Sequence, residues 1–217
     1  MNIVIAGGHG QIAMRLARLL SARGDAVLSL IRDPAQVDDV RETGAGPVIA
    51  DLEKLSGDDL VDQLTGANAV VFAAGAGPGS GAARKDTVDR GASAVLADAA
   101  EQAGVRRFVQ ISSMGAGKPP AGGDDVWAAY ITAKTAAEDD LRGRDLDWVI
   151  LRPGRLTDDN GTGLVTLGEP EVGRGEVTRD DVATVIAALL AEPKVNRTTL
   201  EVVNGDVPIA DAVAALV

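Results

Sequence analysis

The chain has no cysteine and one histidine, and its aromatics amount to two Phe, two Trp and one Tyr in 217 residues. Without cysteine there is no disulfide framework and no thiolate nucleophile, and a secreted location gets no support. His9 is the one imidazole and the carboxylates do not gather in a ligating pattern, so no metal is expected. So few aromatics leave little bulk to fill a wide barrel or to stack nucleobases. Positive charge is also short, with 21 Lys and Arg against 32 Asp and Glu and a formal net charge of -11. That balance opposes general association with nucleic acid or an anionic membrane, and neither is expected as a partner. No apolar run approaches bilayer length, and the first residues read as a strand rather than a basic leader, so we expect a cytoplasmic protein. Any phosphate group bound here has to be held locally.

What the chain does have is 46% hydrophobic residues and 26 glycines, enough for a core of ordinary density with helices lying close on a sheet. Continuous apolar runs fall at 2–6, 26–31, 47–50, 69–74, 107–111, 148–151 and 200–203, the form taken by strands buried on both faces. Helical patterns alternate with them at 11–21, 35–42, 57–64, 83–103, 124–141 and 180–190. Strand and helix in alternation predict an α/β fold, a Rossmann-like doubly wound parallel sheet with helices on both faces. We read 1–217 as a single domain, with 154–177 as a small C-terminal excursion on the substrate side. The stretch 115–123, rich in glycine and proline, is read as a loop.

The first strand stops in Gly7-Gly8-His9-Gly10 and restarts as the helix opened by Gln11, Ile12 and Ala13. A strand turning through glycine into a helix points backbone N–H groups and a positive helix end at one spot, which suits a pyrophosphate. Gly7 and Gly10 serve the turn and the close approach, and Ala13 serves helix-on-strand packing. His9 is read as a loop residue with an edge contact to phosphate. At the end of the next strand Arg32 precedes Asp33, and a planar guanidinium there matches a 2'-phosphate, so NADP is preferred to NAD.

Tyr130 and Lys134 are four apart on a helical pattern, which puts both on one face with the ammonium near the phenol. A tyrosine that gives or takes a proton near neutral pH needs such a neighbour, its free pKa being about 10. Ser112 and Ser113 end the preceding strand, and one of the two hydroxyls is expected to hold the acceptor oxygen. Met114, Trp127, Leu156 and Leu164 are candidate pocket lining. Arg106 and Arg107 read as a solvated turn, and Thr178 with Asp181 reads as an N-terminal helix cap.

These pieces, together with Asp51-Leu52, Val71 to Gly77, Val105 to Ser113, Leu151 to Gly154 and Thr178 to Ala183, resemble the atypical short-chain dehydrogenase/reductase families. The likeness is greatest to the NmrA-like and biliverdin reductase B-like NAD(P)H-binding groups. It implies that Asp51 meets the adenine amino group with Leu52 beside the ring. Ala73, Ala74 and Gly75 let the cofactor pass close over the fourth strand, and Pro153 and Gly154 border the nicotinamide. It also implies Tyr130 as general acid and Lys134 as ribose ligand, with Ser113 or Ser112 polarising the acceptor. We therefore expect an NADP(H)-dependent oxidoreductase transferring hydride to a small or planar acceptor such as a quinone, flavin or carbonyl compound. The alternatives are a non-catalytic redox sensor or regulatory protein and, less favoured, a nucleotide-sugar epimerase-like enzyme. Both a monomer and a homodimer are compatible with the sequence.

Overall fold

From Ile3 onward the first strand, β1 (Asn2–Ala6), is buried on both sides, Ile3 and Ile5 in one core and Val4 and Ala6 in another. Residues alternate between the faces of a strand, so an unbroken apolar run is stable only where both faces are covered. The computed structural model, which describes residues 1–77, 79–118 and 125–217, places β1 inside the sheet between β4 and β2.

In chain order there follow α1 (Gln11–Ala22), β2 (Ala26–Ile31), α2 (Val37–Arg41), β3 (Gly46–Ile49), α3 (Gly57–Leu64) and β4 (Ala69–Phe72). Next, α4 (Ala82–Arg84) runs through a π-helical stretch (Lys85–Ala92) into α5 (Ser93–Gln102). The rest is β5 (Arg107–Ile111), α6 (Asp125–Arg142), β6 (Asp147–Pro153), β7 (Arg155–Thr157), β8 (Leu164–Gly168), β9 (Glu176–Thr178), α7 (Arg179–Ala191), β10 (Thr198–Asn204), β11 (Val207–Pro208) and α8 (Ile209–Ala214). Asp124, where the sequence starts the sixth helix, and residues 119–123 of the predicted loop lie outside the described residues.

The main sheet runs β11-β8-β10-β6-β5-β4-β1-β2-β3. All pairs from β10 to β3 are parallel, while β8 runs antiparallel to both β10 and β11. The fold is thus the expected doubly wound sheet, mostly parallel, with helices on both faces. Leu16 and Leu20 of α1, Val182 and Ile186 of α7, and Ile209 of α8 cover one face. Leu60 and Leu64 of α3, Leu96 of α5 and Leu141 of α6 cover the other, against Phe72 and Phe108. The order in which strands are added reverses between β1 and β4, which run parallel, and this opens a crevice at their carboxyl ends.

Three features differ from expectation. Residues 154–177 hold β7, β8 and β9, with β7 pairing β9 in a separate two-stranded sheet and β8 extending the main one. Strands of three to five residues offer too few positions for a period to register, and their partners are distant in sequence. Asp181 holds this region, accepting hydrogen bonds from Thr162 N at 2.9 Å and Gly163 N at 2.8 Å, while Thr178 Oγ1 caps α7 by accepting from Asp181 N at 3.0 Å. Arg107 is not a solvated turn residue. It is buried, and its Nη atoms donate to the carbonyls of Val195 and Leu189, both at 2.6 Å, closing the C-terminal end of α7. Arg106 does stay exposed, paired with Asp145 and Asp147. Finally, α8 lies outside the helical patterns of the sequence, because its six residues carry too short a period.

Candidate cofactor cleft and active site

The turn after β1 leaves room only for glycine at its first two positions. Gly7 has φ +75°, and a Cβ on it would lie 2.6 Å from the Ala74 Cα. The backbone following β4 therefore passes directly beside the turn. A Cβ on Gly8 would meet the Ser29 Cβ at 2.5 Å, a constraint from β2 that sequence spacing did not reveal. Gly10 N donates to Gly7 O at 2.8 Å to close the turn, and Gly10 caps α1 with no side chain and no acid in the helix's first turn. The opening N–H groups of a helix have no partner within it, so this end is suited to an anion.

Around the turn lies a cleft of about 260 Å³. Its walls bring together Gly7, His9, Gly10, Arg32, Asp51, Leu52, Ala73, Ala74 and Gly75 of the expected cofactor set, and add Gly8, Gln36, Glu53, Arg84 and Val88. Small residues along the β4 side leave a low floor. Gln11 and Ile12 open α1 outside this lining, and Ile12 is buried in the core. His9 Nε2 is 2.8 Å from Asp39 Oδ2, which ties the turn to α2. Asp33 is engaged locally, accepting from Ala35 N at 2.9 Å, whereas Arg32 reaches across to Glu53 at 3.6 Å. Asp51 accepts from Glu53 N at 3.2 Å and pairs with Lys54 at 2.8 Å; that lysine, beside it, holds its carboxyl below the usual range.

The second group of residues sits at the carboxyl ends of β4 and β5. Lys134 is buried, donates to Ile111 O at 3.1 Å, pairs with Asp89 Oδ1 at 3.1 Å, and lies 5.8 Å from the Tyr130 ring centre. Asp89 is wholly buried on the π-helical stretch and accepts from Ala76 N at 3.2 Å through its other oxygen, so it links Lys134 to the loop leaving β4. Lys85, on the same stretch, donates to Gly77 O at 2.9 Å and lies 5.3 Å from the Tyr130 ring centre. The geometry thus confers on Tyr130 two neighbouring ammonium groups where sequence spacing offered one. A one-residue widening of the helix, the π stretch, turns Lys85 and Asp89 inward.

The two serines part company. Ser112 Oγ donates to Glu138 Oε1 at 2.6 Å, inside a buried cluster where Glu138 also accepts from Arg152 Nε at 2.8 Å and Arg142 Nη2 at 2.8 Å. Burial pushes the Glu138 carboxyl up, but the Arg152 and Ser112 hydrogen bonds outweigh it and hold the group below its ordinary value. Among the described residues Ser113 Oγ makes only a 3.3 Å contact, to Met114 O, and Ser113 is half-buried. Pro153 is buried and its carbonyl accepts from Met114 N at 3.1 Å. Gly154 packs so tightly that a Cβ would lie 2.3 Å from Gly175 O. Trp127 meets Tyr130 with ring centres 5.6 Å apart and the ring planes tilted by 38°, and Leu156 packs on the core.

Residues 7–193 match the NAD(P)H-binding family. The chain belongs to that family. Among its kin, this NAD(P)H-binding protein is 31% identical over 217 residues to YhfK of Bacillus subtilis, named an uncharacterized sugar epimerase, with all of both chains aligned. A solved Bacillus halodurans structure, described provisionally as an NAD-dependent epimerase/dehydratase, shares 35% identity over 99% of each chain with a TM-score of 0.91. The anaerobillin reductase ChuY of Escherichia coli O157:H7 shares 25% identity over 95% of this chain and 98% of its own, with a TM-score of 0.79. The protein is a Rossmann-fold NAD(P)-binding member of the oxidoreductase and epimerase superfamily, related to the NmrA-like and biliverdin reductase B-like groups. Among the described residues no helix is long and apolar enough to cross a membrane.

Proposed function

We propose that the protein is an NADP(H)-dependent reductase that delivers hydride to a small or planar acceptor such as a quinone, flavin or carbonyl compound. One observation carries this reading. A buried Lys134 stands beside Tyr130 at the carboxyl ends of β4 and β5, next to the loop that forms the cleft floor. The bound dinucleotide supplies the hydride. The chain's part is to bind and orient: Gly7 to Gly10 and the start of α1 hold the pyrophosphate, Asp51 and Leu52 meet the adenine, and Arg32 faces the 2'-phosphate. Lys134 orients the ribose and Tyr130 gives a proton to a carbonyl acceptor. Ser113 takes the acceptor oxygen, since the Ser112 hydroxyl is already engaged by Glu138. A flavin or quinone depends more on placement against the ring than on a dedicated acid.

An epimerase reading, which the name of YhfK suggests, has less support. Most of the chain after Pro153 is used for β8, β10 and β11 at the sheet edge and for α7 and α8 over it, leaving little for a sugar-binding lobe. The test is a titration with NADPH and NADH, followed by oxidation of the better binder against quinones, flavins and small carbonyls. Tyr130→Phe is expected to bind nucleotide normally and to slow carbonyl reduction by about 100-fold. Absence of nucleotide uptake removes the proposal, and uptake without turnover of any acceptor leaves the sensor.

A further inference from the structure

Three connections that are far apart in sequence converge at the adenosine end of the cleft: Arg32 after β2, Glu53 after β3, and Arg84 at the end of α4. Arg84 Nη2 donates to Glu53 Oε2 at 2.8 Å, and Arg32 Nη1 stands 3.6 Å from the same oxygen. The other carboxylate oxygen accepts from Thr87 Oγ1 at 2.8 Å. Two guanidiniums share one carboxylate, so the trio keeps a net positive charge. Its side chains are 54%, 25% and 35% exposed for Arg32, Glu53 and Arg84, which leaves them open to a ligand in the cleft. Paired planar donors around one acceptor are the arrangement that a phosphate group takes in place of a carboxylate.

We propose that Arg84 is a second reader of the 2'-phosphate, and that Glu53 holds both arginines in the absence of phosphate and turns away when it binds. This rests on the NADP(H) reading above. A phosphate monoester brings three acceptor oxygens and up to two negative charges against the single charge of Glu53, so it displaces the carboxylate from the arginines. A nucleotide with a free 2'-hydroxyl offers no such charge and leaves the Arg32–Glu53–Arg84 bridge closed. Glu53 therefore opposes phosphate binding and Arg84 favours it, and substitutions at the two positions act in opposite directions.

The experiment is calorimetric titration of wild type, Arg84→Ala, Glu53→Gln and Arg32→Ala with NADPH, NADH and 2',5'-ADP, which lacks the nicotinamide, with thermal midpoints as a check on folding. Arg84→Ala is expected to weaken NADPH and 2',5'-ADP about tenfold or more. Its NADH affinity stays as in wild type. Glu53→Gln, which keeps the shape of the bridge without its charge, is expected to tighten the two phosphorylated ligands about three- to fivefold and to leave NADH unchanged. If both variants shift NADPH and NADH together or shift neither, the two-arginine reading is overturned. Loss of phosphate preference in Arg32→Ala alone overturns it while sparing the cofactor assignment. A wild-type protein that binds none of the three ligands overturns both.

Discussion

Replacing Ser112 by alanine removes one buried oxygen and leaves the backbone and Cβ in place. Ser112 is 5% exposed and Glu138 is fully buried, so no water replaces the lost donor. A hydrogen bond to a charged group contributes about 1.5–3 kcal/mol. Glu138 keeps its hydrogen bonds from Arg152 and Arg142, which favours the lower half of that range, about 1.5–2 kcal/mol. For a chain of this length each kcal/mol moves the midpoint by about 2–4 °C, so Ser112→Ala is expected to lower Tm by about 3–8 °C. Calorimetric melting measures that shift, and kcat/KM for the best acceptor at 25 °C is measured beside it. Because its hydroxyl faces Glu138 rather than the cleft, Ser112→Ala should turn over at the wild-type rate. Ser113→Ala should show the reverse, a Tm near wild type and slower carbonyl reduction. A Ser112→Ala protein that melts with wild type and has lost carbonyl turnover would refute the reasoning, because the hydroxyl would then serve the acceptor and not Glu138.

Gly7→Ala forces a Cβ to 2.6 Å from the Ala74 Cα at φ +75°. The conformation alone costs about 1–2 kcal/mol, displacement of the β4 loop adds to it, and NADPH and NADH should weaken alike in calorimetry; undiminished binding contradicts the cradle. Glu138 also predicts a pH dependence. Its folded pKa lies below the unfolded value of 4.5, so the stability it contributes is whole above that pH and lost as pH falls through the folded value. The Tm gap between wild type and Glu138→Gln should therefore narrow as pH is lowered from about 5 to about 3. A gap independent of pH across that range would show that the carboxylate is not the form that Arg152 holds.

The near-neighbour features of this protein are written in its order of residues. Apolar runs set the strands, helical spacing set α1, α3 and α7, and the glycines of the first turn announced a tight strand-to-helix bend, because each depends on dihedral preference and burial within a few residues. Arg32 was legible for the same reason, standing at the end of a strand whose position was already known. Residues that act across the sheet were not. Gly8 answers to Ser29, Arg107 to the carbonyls of Leu189 and Val195, Asp89 to Lys134, and Ser112 to Glu138.

Sequence by itself determined the class of fold and the place where the first strand turns through glycine into a helix, since both follow from local periodicity and from the one turn that needs glycine. Only the tertiary structure decided which serine is bound to the buried Glu138, that Lys85 and Asp89 join the Tyr130 and Lys134 pair, and that Arg84 stands opposite Arg32 with Glu53 between them. Charge pairing at about 3 Å acts between side chains that packing has brought together, and packing distances of that kind leave no mark on the spacing of residues along the chain.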